Sequence, residues 1–296
     1  MAIAHEFEYI KPSCLADAIE ALARNPGKAT VLAGGTDLVG WIKEDFITPE
    51  TVIDIKGLSQ LREITLDGDT LRIGALVTFN QLIESQLVIQ RIPLLWESAT
   101  VVACKPVRNR ATLVGNLCSG IPCCDSGPPL LAYGATIVVD GPNGTRKIAA
   151  KDWFLGPRRT ARSAAEIVTA VEVPVSGPES AGCYIKLGRY RGEDLAQVSV
   201  GVLATKLGFR VAFGAVGSTP LLAPKIEAVL GVPDSLNEAK IREAQELVEE
   251  EISPITDVRA TLEYRMHMAK IMLKRGVETA AKRLSGRCPA YGTRLI

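Results

Sequence analysis

The chain has 296 residues, of which 47% are hydrophobic, so it is long enough for two domains that each bury a core. Its 34 Lys and Arg residues balance its 33 Asp and Glu residues, which argues against binding to nucleic acid or anionic lipid. Residues 1–9 lack the apolar run of a secretory signal and no spanning stretch of about 20 apolar residues follows, so we expect a cytoplasmic protein.

The first third of the sequence predicts short strands that alternate with helices. Residues 30–32 are apolar and β-prone, and the glycine pair at 34–35 ends this strand. Residues 36–37 then provide Thr and Asp, which can cap a helix through residues 38–42. A second short strand is predicted at 51–55.

Two hairpins and a long helical stretch are predicted next. The turns are Asp-Gly-Asp at 67–69 and Gly-Pro-Asn-Gly at 141–144. The strands that they join are residues 61–66 with 70–76, and residues 136–139 with 146–149. Residues 79–103 have the helical spacing of apolar groups, with Pro93 as a break.

The composition changes after residues 173–178, which are rich in turn formers and indicate a domain boundary. Two β-prone runs follow, and then three segments with helical periodicity. The predicted strands cover 183–187 and 197–215 with an interruption near Gly208, and the predicted helices cover 224–230, 236–252 and 256–284. Thr256 and Asp257 are predicted to cap the last helix.

The glycine loop after the first strand is a candidate binding site. It contains Leu32, Ala33, Gly34, Gly35, Thr36 and Asp37. Paired glycines let the backbone approach a ligand closely, and the amides at a helix start favour a phosphate. Asp37 would repel a phosphate, so it is expected to cap the helix or to accept a hydrogen bond from a ribityl or ribose hydroxyl. Taken alone, such a loop more often marks a tight turn with no ligand.

A second candidate, residues 108–126, is rich in small and polar residues and leads into a predicted helix at 128–133. It is too long for a simple connection. Its backbone donors, amide and carboxylate suit a polyhydroxylated, phosphorylated ligand. The alternative is that Asn116 and Asp125 only satisfy loop backbone groups. Neither loop carries a Rossmann or Walker fingerprint.

Taken together, the loops are more informative. The sequence resembles, in order and spacing, the FAD-binding medium subunits of the xanthine dehydrogenase and carbon monoxide dehydrogenase family, which belong to molybdenum hydroxylases. The similar segments are residues 33–38, 74–78, 111–117, 184–191 with Asp194, 214–220, and a C-terminal helix carrying Arg259, Tyr264 and Arg265. The resemblance therefore covers nearly the whole chain.

The resemblance implies an α+β fold. A two-part FAD-binding domain of the vanillyl-alcohol-oxidase (PCMH) type would be followed by a smaller domain with a β-sheet and a helical bundle. The expected limits are residues 1–176, with subdomains of about 1–56 and 57–176, then residues 177–286, and a tail at 287–296. We expect the tail to wrap a surface of the chain or a partner.

The same resemblance assigns FAD contacts. Residues 33–37 and 112–116 would hold the pyrophosphate and ribityl chain, Asp125 would bind ribityl or ribose hydroxyls, and the Ile167 backbone would meet the adenine end. Lys186 would lie near the isoalloxazine ring, where its ammonium would stabilise the anionic reduced flavin. The full implied set is Leu32, Ala33, Gly34, Gly35, Thr36, Asp37, Ala111, Thr112, Val114, Gly115, Asn116, Asp125, Ile167 and Lys186. Without the resemblance, Lys186 is equally a solvated strand lysine.

One position departs from the family pattern, because many relatives have glycine where this chain has Val114. A β-branched residue resists positive φ. The loop is therefore expected either to hold an ordinary conformation at Val114 or to lie slightly farther from the ligand, which would weaken FAD binding.

The histidines and cysteines predict no metal site on this chain. His5 and His267 are far apart in the sequence, and two such residues do not make a site. The chain has an odd number of cysteines, seven, and the adjacent pair Cys123 and Cys124 argues against a disulfide framework and for a reducing compartment. Cys104 and Cys118 complete four thiols that would suffice for an iron–sulfur cluster, but no C-x-x-C spacing occurs, so free thiols are expected.

These inferences predict an electron-transfer flavoprotein subunit without catalytic acid–base residues, because a flavin performs its own redox chemistry. The expected partners are a large subunit with molybdenum cofactor and a small subunit with [2Fe-2S] clusters, in a dimer of heterotrimers that serves an external electron acceptor. A free-standing FAD-dependent oxidoreductase is one alternative. A flavin-free scaffold or assembly protein is the other.

Overall fold

The computed structural model describes residues 3–175, 177, 179–190, 192–287 and 289–296. Three positions used in the sequence predictions lie outside the described residues: Ser176 and Pro178 near the predicted domain boundary, and Arg191 in the second-domain segment. The same holds for the first two residues of the chain.

A small parallel sheet opens the fold. Its strands and helices are β1 (Glu8–Ile10), α1 (Leu15–Arg24), β2 (Ala29–Leu32), α2 (Leu38–Lys43) and β3 (Thr51–Asp54), and the sheet order is β1-β3-β2. The predicted unit of strand, glycine turn and helix is confirmed. The turn leaves the carboxyl end of β2, which brings residues 33–37 to the edge of the sheet.

A five-stranded antiparallel sheet follows. Its strands are β4 (Ile64–Asp67), β5 (Thr70–Gly74), β6 (Thr136–Gly141), β7 (Gly144–Ala149) and β10 (Ile167–Pro174), in the order β4-β5-β10-β6-β7. Both predicted hairpins are confirmed. A short hairpin, β8 (Phe154–Gly156) and β9 (Arg159–Thr160), lies before β10.

Six helices connect β5 to β6: α3 (Phe79–Glu84), α4 (Gln86–Arg91), α5 (Pro93–Thr100), α6 (Lys105–Arg108), α7 (Leu113–Cys118) and α8 (Gly127–Tyr133). The predicted helical stretch at 79–103 divides at Pro93 as expected. It also divides at Ser85, whose side chain accepts a hydrogen bond from the Val88 amide and caps α4. Helix α7 was not predicted, and it turns the middle of the second candidate loop into a capped helix.

The C-terminal part forms an antiparallel sheet covered by helices. The strands are β11 (Ser180–Leu187), β12 (Val198–Thr205), β13 (Gly208–Gly214) and β14 (Leu221–Leu222), in chain order, and the helices are α9 (Pro224–Leu230), α10 (Glu238–Glu246), α11 (Val248–Glu251) and α12 (Leu262–Leu284). The chain is thus an α+β protein, as predicted. Within the described residues, no helix is both long enough and apolar enough to cross a bilayer.

The predicted start of the last helix was wrong. Thr261, not Thr256, is the cap of α12, since its side-chain oxygen accepts a hydrogen bond from the Tyr264 amide. Asp257 instead accepts hydrogen bonds from the amides of Arg259 and Ala260, which fixes a turn before the helix. Arg259 therefore belongs to this turn and not to the helix, and the predicted helix at 236–252 is divided into α10 and α11.

Two hydrophobic cores meet along β11, and a buried ion pair joins them. Glu97 on α5 binds Arg283 on α12 through both of its carboxylate oxygens. The C-terminal tail lies over this pair: Tyr291 Oη accepts a hydrogen bond from the Gly182 amide, and the Gly292 amide donates to Glu97. The described part of the tail therefore packs against this chain's own surface.

Candidate functional site

One cavity of about 710 Å³ collects the predicted binding residues. Its size falls in the range of small-molecule and cofactor pockets. It is lined by Ala33, Gly34, Gly35, Thr36, Asp37, Ala111, Thr112, Val114, Gly115, Asn116, Asp125, Ile167 and Lys186. Leu32 is the predicted residue that does not line it, because it ends β2 and pairs with Asp54 of β3.

The first glycine loop touches the second loop directly. A Cβ built on Gly34 would lie 2.0 Å from the carbonyl oxygen of Arg110, so only glycine permits this approach. Gly35 has φ of +77°, a conformation that favours glycine. Within the described residues, the amides of residues 34–38 donate no hydrogen bond to a protein atom. These donors face the cavity edge and suit an anionic group such as a phosphate.

The structure overturns one of the two roles predicted for Asp37. Asp37 precedes α2, but its φ and ψ of −93° and −51° are already helical and its side chain makes no capping hydrogen bond. A side chain caps a helix when its backbone is extended, so the capping prediction was wrong. Burial raises the pKa of Asp37, against the opposite effect of the Arg158 cation. The carboxylate thus stays available to a hydroxyl in the cavity.

Asp37→Asn is expected to stabilise the FAD-free chain at neutral pH and to weaken FAD binding about tenfold, which is about 1.4 kcal/mol. The pKa of Asp37 is higher in the folded state than in the unfolded state. Its contribution to the free energy of unfolding is therefore fully present at pH values below the unfolded pKa, and it is lost as the pH rises through the folded pKa. The amide removes this loss but accepts hydroxyl hydrogen bonds less strongly. Urea unfolding at pH 7 and FAD titration measure the two effects. Equal results from Asp152→Asn, an exposed control, would contradict the explanation.

The second loop is ordered by its own polar groups. The Thr112 side chain caps α7 by accepting a hydrogen bond from the Gly115 amide at 3.0 Å. Ser126 Oγ donates to Asn116 Oδ1 at 2.6 Å, so the amide oxygen of Asn116 binds a side chain of the loop and not the backbone groups that the alternative named. Among the described residues, the amides of Thr112 and Val114 have no protein acceptor. These two amides remain as donors to a ligand.

Val114 has an ordinary helical conformation, which confirms the first of the two alternatives predicted for it. It lies in the first turn of α7, is 4% exposed and belongs to the larger hydrophobic core. Val114 therefore packs in the core while also lining the cavity, and its amide has no protein acceptor among the described residues.

Val114→Ala is expected to lower the free energy of unfolding by about 1.5 kcal/mol, because it removes buried methyl groups. The FAD dissociation constant should stay within about twofold. Thermal unfolding and FAD titration test this pair of results, with the half-exposed Val232→Ala as control. A large loss of FAD affinity without loss of stability would show that the side chain meets the cofactor.

Lys186 is buried in an ion pair and is not a solvated strand lysine. Its Nζ lies 2.7 Å from Asp125 Oδ2 and 3.0 Å from the carbonyl oxygen of Val101, and the two charged side chains are 8% and 9% exposed. Tyr184 Oη donates to the other oxygen of Asp125 at 2.8 Å. Burial raises the pKa of Asp125, while Lys186 and Tyr184 act in the opposite direction. The positive charge of Lys186 is thus largely compensated.

Three arginines of the cavity, Arg162, Arg189 and Arg259, were missed as site residues. Arg162 Nη1 donates to the carbonyl oxygen of Glu166 at 2.7 Å and so supports the backbone that leads to Ile167. Arg259 reaches the cavity from the turn before α12. The sequence signal for Arg259 was its place in the C-terminal segment that resembles the family. No local pattern pointed to Arg162.

Three of the four cysteines considered for a cluster line the cavity, and Cys104 does not. Burial raises the pKa of Cys118 to about 11 and also raises the pKa values of Cys123 and Cys124. Burial therefore disfavours the thiolate form of these three cysteines. The described residues contain no group of three or more metal-ligating side chains.

The donor set fits a dinucleotide such as FAD. Amides without a protein acceptor line the cavity in both loops, and Asp37 and Asp125 add carboxylates that can accept hydrogen bonds from hydroxyl groups. Arg259, whose side chain is 33% exposed, adds a cation to the lining. Neutral amide donors, carboxylates and a cation match a pyrophosphate, a polyhydroxyl chain and a polar ring.

The sequence matches two family models. The model described as the FAD binding domain in molybdopterin dehydrogenase matches residues 5–176. The model described as the CO dehydrogenase flavoprotein C-terminal domain matches residues 183–280.

Individual relatives match along nearly their whole length. The chain is 33% identical to the carbon monoxide dehydrogenase medium chain of Afipia carboxidovorans, over 94% of this chain and 97% of that protein. It is 31% identical to the xanthine dehydrogenase FAD-binding subunit of Escherichia coli O157:H7, with the same coverage. Among solved structures, a chain of cyanide-inactivated Cu,Mo-CO dehydrogenase superposes with a TM-score of 0.91 at 32% identity, over 95% of this chain and 100% of that one. A chain of quinoline 2-oxidoreductase from Pseudomonas putida 86 gives 0.89 at 27% identity, over 96% and 99%.

Proposed function

Because the chain belongs to the family of FAD-binding medium subunits of molybdenum hydroxylases, we propose that it carries electrons from [2Fe-2S] clusters on a small subunit, through FAD, to an external acceptor. The protein is an FAD-binding oxidoreductase subunit. The observation that carries the proposal is the single cavity that brings together the two loops and Lys186.

The partners follow from the names of the relatives. A medium chain implies a large and a small chain, and we propose a molybdenum-binding large subunit that oxidises the substrate, within a dimer of heterotrimers. Neither histidine of this chain lines the cavity, which is consistent with acid–base chemistry on another subunit. We place the complex in the cytoplasm.

We also propose which residues hold FAD and where the domains divide. The backbone at 33–37 and 112–116 would bind the pyrophosphate and ribityl chain, Asp37 and Asp125 would accept hydroxyl hydrogen bonds, and Ile167 would lie at the adenine end. When bound, FAD supplies the redox chemistry, and the protein orients and surrounds it. We propose the limits 1–176, 177–286 and 287–296; the limit at 176 is supported by the two family matches, which cover residues 5–176 and 183–280.

Purification of the chain and its visible spectrum test the proposal. We expect flavin bands that correspond to about one FAD per chain, either as purified or after reconstitution with FAD. A colourless chain that FAD does not reconstitute would support the scaffold alternative instead. Co-expression with the genes encoded beside it then decides the rest. Co-purification with subunits that contain molybdenum and iron supports the electron-transfer subunit, and isolation as a flavoprotein alone supports a free-standing oxidoreductase.

A further inference from the structure

Arg259 lines the cavity, and its guanidinium is held by one long ion pair and no short one among the described residues. Its side chain is 33% exposed, yet its Nε is fully buried and has no hydrogen-bond acceptor within the described part of the chain. The nearest carboxylate oxygen in an ion pair, Asp257 Oδ2, lies 3.6 Å from Nη1, which is too long for a hydrogen bond.

One oxygen of Asp257 is committed to other groups. Its Oδ1 accepts a hydrogen bond from Arg265 Nη2 at 2.6 Å and from the Arg259 amide at 2.8 Å. Arg265 is 4% exposed and also donates to the carbonyl oxygen of Gln197, so its charge needs this carboxylate. The Gln197 side chain donates to the Arg259 carbonyl. These hydrogen bonds hold the turn, and Asp257 Oδ2 stays beyond hydrogen-bond distance of Arg259, so this carboxylate compensates the Arg259 charge only in part.

Neighbouring cations of the cavity differ in this respect. Lys186 lies 2.7 Å from Asp125, and Arg189 lies 3.1 Å from Asp194. Gln197 connects Lys186 and Arg259: its amide donates to the carbonyl oxygen of Leu187, next to Lys186, and its side chain donates to the carbonyl oxygen of Arg259. Burial raises the pKa of the Cys123 thiol, and both Arg259 and Lys186 act to lower it. At the Lys186 end of the cavity, Arg259 is the cation whose charge is compensated least among the described residues.

We propose that Arg259, rather than Lys186, supplies the positive charge that stabilises the reduced flavin and sets its potential. The inference rests on the proposed function, in which the isoalloxazine ring lies at the Lys186 end. In that function, reduction of bound FAD by two electrons from the [2Fe-2S] clusters, with uptake of one proton from water, would add one negative charge to the cofactor. A partly compensated cation in a partly desolvated cavity favours that charge.

The test compares reduction equilibria of the FAD-loaded chain against a reference dye. Arg259→Gln is expected to lower the two-electron reduction equilibrium constant about tenfold, equivalent to about 30 mV. Arg259→Lys should recover most of this change, since it keeps the charge. Arg162→Gln is the matched control, because it removes an arginine from the same cavity at the Ile167 end. It is expected to alter FAD affinity and to leave the reduction equilibrium within twofold.

A second readout uses the unaltered protein. When one proton is taken up per two electrons, the midpoint potential of the flavin falls by about 30 mV per pH unit. When two protons are taken up, it falls by about 59 mV per pH unit. We expect the smaller slope throughout pH 6 to 8, and a bend toward the larger slope at the acidic end for Arg259→Gln. A slope near 59 mV per pH unit in the unaltered chain at pH 6 overturns the inference about Arg259 but not the proposed function. The same holds if Arg259→Gln binds one FAD and its reduction equilibrium is unchanged. Failure of the unaltered chain to bind FAD overturns the proposed function.

Discussion

Glu97→Gln is expected to lower the free energy of unfolding by about 3 to 5 kcal/mol, because it leaves a buried arginine without a carboxylate. The Glu97 oxygens lie 2.9 and 3.0 Å from Nη2 and Nη1 of Arg283, and the side chains are 5% and 4% exposed. Glu97 also accepts hydrogen bonds from the amides of Tyr184 at 2.7 Å and Gly292 at 2.9 Å. One substitution therefore weakens α5, β11, α12 and the tail together. Urea unfolding of the full chain measures the effect.

The matched control is Glu250→Gln on the surface. Glu250 lies 2.7 Å from Lys225, a distance similar to that in the buried pair, but both side chains are 56% exposed. Water screens such a pair, so its loss should change the unfolding free energy by about 0.5 kcal/mol or less. Equal effects from the two substitutions would show that the buried pair contributes no more than a surface one.

Gly34→Ala is expected to weaken FAD binding at least 100-fold, about 2.7 kcal/mol. The added Cβ would lie 2.0 Å from the Arg110 carbonyl oxygen, which is backbone and cannot rotate away. The two loops must therefore separate, and the amides of both leave their positions around the cavity. Titration of the FAD-free chain with FAD, followed by flavin fluorescence, measures the loss.

Gly40→Ala is the control, because Gly40 lies in the adjoining helix α2 and a Cβ there meets no atom within 4 Å. Alanine in a helix interior is favoured over glycine by about 0.5 to 1 kcal/mol, so this variant should unfold at a slightly higher urea concentration. Because the added Cβ meets no neighbour, the variant should also bind FAD normally. Unchanged FAD affinity in Gly34→Ala would show that the contact between the loops does not form the binding site.

The local chemistry of turns and strands predicted much of the fold. The hairpins at 67–69 and 141–144 and the strand that ends at Gly34 were recognised because glycine, asparagine and aspartate have specific turn roles. Helix starts were less predictable. Both Thr256 and Thr261 are suitable caps, and the choice between them depends on Arg265, which holds Asp257 in a turn. That contact is tertiary and leaves no local signal.

The candidate site shows the same difference between local sequence signals and tertiary contacts. The resemblance assembled a residue set that the structure gathers around one cavity, with Leu32 as the exception. It did not predict that Lys186 pairs with Asp125, because the two residues are 61 positions apart and meet only when β11 packs beside the second loop. Arg259 is a similar case, since its importance depends on which carboxylates are already occupied.

Because the cavity is lined by residues from both the N-terminal and the C-terminal parts of the chain, bound FAD ties the unfolding of the two parts together. Residues 33–37 come from one half, and Lys186 and Arg259 come from the other. At a free FAD concentration 100 times the dissociation constant, the native state gains about 2.7 kcal/mol. Proteases cleave chains that open, so a cell short of FAD would degrade this subunit faster. Supply of the cofactor would then control how much of the assembled complex accumulates.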